Sequence, residues 1–311
     1  NKNNPTNVIG FVILFIFALF SSKSMEYTAS LEPFSSDLIG IAHNSTSILC
    51  YGNNGIIMQS DVNAKDWKQI YIGERDSIIK IVNFEDTYIG ITKKYILKSI
   101  DNGVTWKKYY FSEINNDLIN LTILKDTIFF LTNNGIYTIN LNFNVISKYF
   151  NFDTTLNNIY YEFEANENSL FFFRYNLINH KLYLSNLDIN KKNISEKEIR
   201  YEISDYDIAF SDIKSLSIKI YENKNISCLV NYKLFGYYYF KTKIYNYQVT
   251  SDSVYLLYDN LNDNYRFVSG LGIFKNKVYI IAPDTLNYIN LFNINETGNL
   301  TLITSEKIDR L

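Results

Sequence analysis

The stretch Asn53-Asn54-Gly55-Ile56-Ile57-Met58-Gln59-Ser60-Asp61 recurs as Asn133-Asn134-Gly135-Ile136-Tyr137-Thr138-Ile139-Asn140-Leu141, about 80 residues on. A third copy lies midway, Lys94-Tyr95-Ile96-Leu97-Lys98-Ser99. Ser99 follows Ser60, and Trp106 follows Trp67, at the same spacing of 39 residues. A period of about 40 marks an array of supersecondary units, each of which buries its faces by stacking on its neighbours.

Each period contains four short runs of β-branched and aromatic residues separated by Asn, Asp or Gly, the pattern of a four-stranded meander. In the second repeat the runs are Ser77 to Phe84, Thr87 to Ile91, Tyr95 to Ser99 and Thr105 to Phe111. Carried along the chain, the register predicts blades at about 36–72, 73–111, 112–150, 153–203, 207–258 and 264–308. Several runs are apolar at consecutive positions, such as Thr127 to Leu131 and Ser169 to Phe173, so both faces of the sheet need cover. Blades packed face to face around an axis provide that cover, whereas a sandwich would alternate more cleanly. The expected fold is an all-β propeller of about six four-stranded blades, with seven still open, forming one domain over 25–311.

Composition agrees. The chain is 47% hydrophobic and 16% aromatic, with 27 Tyr, 22 Phe and only 3 Pro, a bias toward residues that suit a pleated, half-buried surface. Its net charge of -2 comes from 30 basic and 32 acidic residues that are interspersed, which predicts no nucleic-acid footprint and no polybasic membrane patch. Six N-x-Ser/Thr sequons, at Asn44, Asn120, Asn193, Asn225, Asn295 and Asn299, are what so Asn-rich a chain yields by chance. Cys50 and Cys228 each lie in an apolar strand-like run, and two buried free thiols are expected.

Ahead of the repeats, Val8 to Phe20 is an uncharged apolar run with Lys2 before it and Ser21-Ser22-Lys23-Ser24 after it. Thirteen residues fall short of the roughly 20 that span a bilayer as a helix, so residues 1–24 read as a signal peptide, with an N-terminal anchor as the alternative. The first residue is Asn1 rather than Met, and a few residues are expected to precede it. The expected location is therefore exported: secreted, periplasmic or at the cell surface.

Ser99-Ile100-Asp101-Asn102-Gly103-Val104-Thr105-Trp106 resembles the Asp-box, S-x-D-x-G-x-T-W, of the bacterial-neuraminidase-repeat propellers, and matches at Ser99, Asp101, Gly103, Thr105 and Trp106. The residues suit a hairpin turn: Asp101 can accept from backbone amides, Gly103 permits positive φ, and Trp106 is an apolar anchor. A degenerate copy, Ser60-Asp61-Val62-Asn63-Ala64-Lys65-Asp66-Trp67, is read in Ser60, Asp61 and Trp67; Ser60 and Trp67 keep the spacing but Ala64 stands where Gly belongs, and later blades lack the box. Within the superfamily, the chain is most similar to photosystem II assembly factor-like propellers.

The resemblance also implies what a sialidase would need: three arginines for the substrate carboxylate, a Tyr-Glu nucleophilic pair and an Asp acid/base. The five arginines, Arg75, Arg174, Arg200, Arg266 and Arg310, are scattered, and none precedes the first box. There is no G-x-S-x-G, H-E-x-x-H, Walker loop, G-x-G-x-x-G or C-x-x-C. His43 and His180 have no visible partner, Asp259 to Asn264 lacks the Gly and Glu of a calcium loop, and Tyr237-Tyr238-Tyr239-Phe240 reads as core packing. No catalytic, cofactor or metal residue is therefore named and no cofactor is expected. The expected function is a monomeric, non-catalytic propeller that binds a protein or a glycan. The alternatives are a diverged sialidase-like glycoside hydrolase and an anchored assembly-factor-like module.

Overall fold

The structure is a computed structural model of the chain, and it describes residues 38–64, 66–73, 75–114, 116–199, 213–221, 225–233, 240–249, 251–259, 270–274, 277–283, 288–295 and 299–307. The apolar run Val8 to Phe20, the tyrosines Tyr237 to Tyr239 and the loop residues Asn260 to Asn264 lie outside them. The chain divides into two compact units, residues 1–151 and 152–311.

Unit 1 holds three antiparallel meanders. Blade 1 is β1 (Leu38–His43), β2 (Ser47–Gly52), β3 (Ile56–Asp61) and β4 (Lys68–Tyr71). Blade 2 is β5 (Lys80–Phe84), β6 (Thr87–Ile91), β7 (Ile96–Ser99) and β8 (Lys107–Tyr109). Blade 3 is β9 (Leu118–Leu124), β10 (Thr127–Thr132), β11 (Gly135–Asn140) and β12 (Ile146–Asn151). Unit 2 holds three more. Blade 4 is β13 (Asn158–Ala165), β14 (Ser169–Asn176), β15 (Lys181–Asp188) and β16 (Asn193–Glu198). Blade 5 is β17 (Ile213–Tyr221), β18 (Asn225–Lys233), β19 (Phe240–Gln248) and β20 (Ser253–Asp259). Blade 6 is β21 (Gly270–Phe274), β22 (Lys277–Pro283), β23 (Tyr288–Ile294) and β24 (Leu300–Lys307).

Burial within a blade follows strand position. All of β2 is buried, as are five of six residues of β10, while the outer strands β12 and β16 are largely exposed. Because side chains alternate along a strand, an inner strand buried on both faces serves two interfaces. Tyr88 and Leu97 pack with Leu49 and Ile57 of blade 1. Their sequence neighbours Ile89 and Ile96 pack with Leu121, Ile128 and Phe130 of blade 3. In unit 2, Cys228 and Val230 join Phe171 and Phe173 of blade 4, while Leu229 joins Ile280 and Phe292 of blade 6. Each fully buried Phe or Leu contributes about 1.5–3 kcal/mol, so the apolar runs at consecutive positions hold neighbouring blades together. The outer strands carry Lys68, Lys107, Lys108, Lys148 and Lys197, charges that discourage edge-to-edge pairing.

In the second repeat β7 begins at Ile96, one residue later than expected, and β5 and β8 are shorter than expected by more. β5 begins at Lys80 rather than Ser77, because Ile78 N donates to Gly52 O (3.0 Å) and Ser77 Oγ to Asn53 Oδ1 (2.9 Å), which ties this segment to blade 1. β8 is only three residues long, because Thr105 and Trp106 are drawn into the preceding turn.

Candidate functional site

The turn between β7 and β8 is held by a dense set of hydrogen bonds. Ser99 Oγ, buried at 1% exposure, accepts the Gly103 amide (2.9 Å) and donates to Asp101 Oδ1 (2.8 Å). Asp101 also accepts from Thr105, through the backbone N (2.9 Å) and Oγ1 (2.6 Å). Trp106 Nε1 donates to Gly103 O at 2.8 Å, and its ring packs at the seam between blades 1 and 2. Asn102 (φ 59°) and Gly103 (φ 89°) take the left-handed conformation that reverses the chain. Burial opposes ionisation of Asp101, but the bonds from Thr105 and Ser99 outweigh it and hold the carboxyl below the usual carboxylate range.

The same turn is clamped to the neighbouring blade. Asn102 Oδ1 accepts from Asn44 Nδ2 (3.0 Å) and Thr46 Oγ1 (2.9 Å), and Asn102 O accepts from Gln59 Nε2 (2.8 Å). A Cβ at Gly103 would stand 2.7 Å from Leu49 Cδ2, so the turn sits directly on β2. One period later Lys98 Nζ donates to Leu141 O at 2.8 Å and lies 5.0 Å from the centre of the Phe143 ring, in the β11–β12 turn. Gln59 and Lys98 pair with Lys68 and Lys107 at matching places in their blades. In unit 2, Lys197 pairs with Asp252 (2.6 Å) in the β19–β20 turn, which in turn accepts from Tyr247 Oη (2.9 Å). A polar side chain near a blade's outer strands thus repeatedly grips the third turn of the next blade. Sequence reading missed this because Asn102 and Gln59 occupy positions the motif leaves free.

The worn copies show what the motif loses. Trp67 Nε1 still donates to Ala64 O (3.1 Å), and Ala64, 1% exposed, holds φ 56° where a glycine would be unstrained. With Val62 in place of the central Asp, the buried Ser60 Oγ has no hydrogen-bond partner among the described residues. Asp61 instead accepts from the Asn63 amide at 3.0 Å. Blades 3 and 6 lack the box and close the same turn with a different bond, from the position that Ile100 holds in blade 2: Asn144 N donates to Asn140 Oδ1 (3.3 Å) and Asn299 N to Asn295 Oδ1 (2.8 Å).

The other candidates are committed or dispersed. Arg174 Nε donates to Glu196 Oε1 (2.6 Å), Nη1 donates to Asn158 Oδ1 (2.9 Å), and the guanidinium lies 4.2 Å from the centre of the Tyr183 ring. It is held by the sheet, whereas Arg75 is exposed. Arg200, Arg266 and Arg310 lie outside the described residues. His43 is exposed at the end of β1, and His180 Nδ1 is 3.3 Å from Tyr175 Oη in the β14–β15 turn. Cys50 and Cys228 are free and buried, and burial pushes both thiols up. Three carboxyls among the described residues are held below the usual range: Asp101, Asp153 through Thr155, and Asp252 chiefly through Lys197. No cluster of metal-ligating side chains occurs among the described residues, and no helix among them is long and apolar enough to cross a membrane.

No protein-family model matches the chain. Among curated proteins it is similar to the DNA-directed RNA polymerase subunit beta'' of Plasmodium falciparum, 29% identical over 164 residues. That match covers 52% of this chain, which spans only 15% of that protein's length. Among solved structures it is similar to the β-propeller domain of Myceliophteria thermophila Cps50 (Swd1), with a TM-score of 0.60, 8% identity, and coverage of 91% of this chain and 90% of that one. The chain has the β-propeller fold. A structure of YCF48 bound to D1 peptide aligns at TM-score 0.59 and 11% identity, over 87% of this propeller and 81% of that chain. The extracellular domain of the putative one component system BT4673 from B. thetaiotaomicron aligns at 0.61 and 15% identity, over 88% of this propeller and 34% of that chain. Identities this low carry the fold and not the function.

Proposed function

We propose that the chain is an exported propeller of the Asp-box type that works without catalysis, as a module holding a protein partner. The observation that carries the reading is at the stapled β7–β8 turn, where Ile100 is 75% and Val104 49% exposed on a backbone fixed by Asp101 and clamped through Asn102. Rigid, exposed apolar side chains at turn tips suit recognition, since little conformational entropy remains to be lost on binding. Support also comes from the resemblance of Ser99 to Trp106 to the Asp-box and from a similar propeller solved with a bound peptide. Export rests on the apolar run Val8 to Phe20.

The test is a titration of the tagged full chain into an extract of the native envelope, alongside assays on a panel of fluorogenic glycosides. Saturable capture of one protein with no glycoside turnover is expected. Turnover without a saturable partner would reverse the reading in favour of the hydrolase. N-terminal sequencing of the natively produced protein checks export: a start near Met25 is expected, and retention of Val8 to Phe20 would contradict cleavage.

A further inference from the structure

The first–second and third–fourth turns of an antiparallel meander emerge at the same end, and unit 1 brings these ends of its three blades together. Asn102 bonds to the β1–β2 turn of blade 1, and Lys98 bonds to the β11–β12 turn of blade 3. At that end stand Val62 (48% exposed), Ile100 (75%), Val104 (49%) and Val145 (69%), at least one from each third–fourth turn. The same end carries five exposed carboxylates, Asp61, Asp66, Glu85, Asp86 and Asp126, against three exposed described cations, Lys68, Lys107 and Lys125. The opposite end of blade 2 exposes Arg75, Lys93 and Lys94 together with Glu113 and Asp117, and Lys93 lies 3.8 Å from Asp117.

From this we infer that the turn-bearing end of blades 1–3 is a docking platform for a basic, apolar, extended segment of a partner protein. Four separate aliphatic tips need apolar side chains to cover them, and the surrounding carboxylates select a segment whose intervening residues are Lys or Arg. Face-packed sheets stand about 10 Å apart, so three tips span about 20 Å, the length of about six residues of extended chain. The staple at Asp101 and the clamps at Asn102 and Lys98 fix the tips relative to one another before binding. The inference rests on the protein-binding reading and adds the place and the chemistry.

The probes are synthetic octapeptides of alternating Lys-Val, Ser-Val and Glu-Val, titrated calorimetrically into the full chain at low and high salt. Lys-Val should bind, weaken as salt rises, and bind at least about tenfold more weakly to the Ile100→Ser/Val145→Ser protein. Lys93→Ser/Lys94→Ser at the opposite end should change nothing. Equal binding of all three peptides, no binding of Lys-Val, or indifference to Ile100→Ser/Val145→Ser overturns the platform. A concentration-dependent dimer in light scattering that the same double variant dissolves would make the occupant a second copy, and overturns it as well. If the Ile100→Ser/Val145→Ser protein still captures its envelope partner, the platform fails while the protein-binding reading stands. Should neither form capture a partner nor bind Lys-Val, both fail.

Discussion

Ser60 and Ser99 stand one period apart, both buried at the end of a third strand, and the structure predicts opposite outcomes on changing each to Ala. Ser99 Oγ makes two hydrogen bonds, to the Gly103 amide at 2.9 Å and to Asp101 at 2.8 Å. Each is worth about 0.5–1.5 kcal/mol net, and Ser99→Ala also strands the buried Gly103 amide, so the loss should be about 2 kcal/mol. Water reaches part of Asp101 and recovers some of its share, which keeps the figure from rising further. Ser60 Oγ is buried without a partner among the described residues. Removing it deletes a desolvated hydroxyl and opens almost no cavity, so Ser60→Ala should be neutral or stabilise by up to about 1 kcal/mol. Urea unfolding followed by tryptophan fluorescence reads both, since the 2 Trp of the chain, Trp67 and Trp106, lie in unit 1. With a slope of about 2 kcal/mol/M, Ser99→Ala should lower the midpoint by about 1 M while Ser60→Ala leaves it in place or raises it. Equal losses for the two, or none at Ser99, would refute the staple.

Gly103→Ala should cost more than about 2 kcal/mol, because its Cβ would meet Leu49 Cδ2 at 2.7 Å with φ at 89°; Leu49→Val in the same chain should return part of the loss in urea unfolding. Gln59→Ala and Lys98→Ala each remove a cross-blade bond to a backbone carbonyl and should lower the urea midpoint of unit 1 by the equivalent of about 1 kcal/mol. Asp101 and Asp252 are both depressed in the fold, so their contribution is present above the unfolded carboxylate pKa of about 3.9 and is lost as pH falls through the lower folded value. Thermal melts should therefore fall off below about pH 4, and Asp101→Asn should flatten that limb. Cys50 and Cys228 should resist a thiol reagent until denaturation, and because they lie in different units their separate exposure reports unfolding of each.

The repeat was legible because its marks are chemically strict. Asn-Gly turns, a buried second strand and the Ser99 to Trp106 signature all require particular residues at particular spacings, and they gave six blades. What stayed hidden depends on substitution and on neighbours. Asn140 and Asn295, one position before the place of the box Asp, close their turns with a carboxamide, and in a chain this rich in Asn their significance has no statistical signal. Ala64 adopts a glycine conformation under the pressure of packing, which no propensity foretells. Asn102 acts through a neighbouring blade, and a motif defined within one hairpin is silent about such partners. The candidate platform was invisible for a simpler reason: Val62, Ile100 and Val104 fall at positions the box leaves unspecified, Val145 lies in a blade without the box, and no local pattern says that they stand exposed at one end.

The central claim, that a protein partner docks on the stapled third turns, is met most directly by hydrogen exchange on the full chain with and without its saturably captured envelope partner. Slowed exchange is predicted at residues 61–66, 99–105 and 140–145 together. Protection confined to the opposite turns, at Asn53 to Gly55, Thr92 to Tyr95 and Thr132 to Gly135, would contradict it.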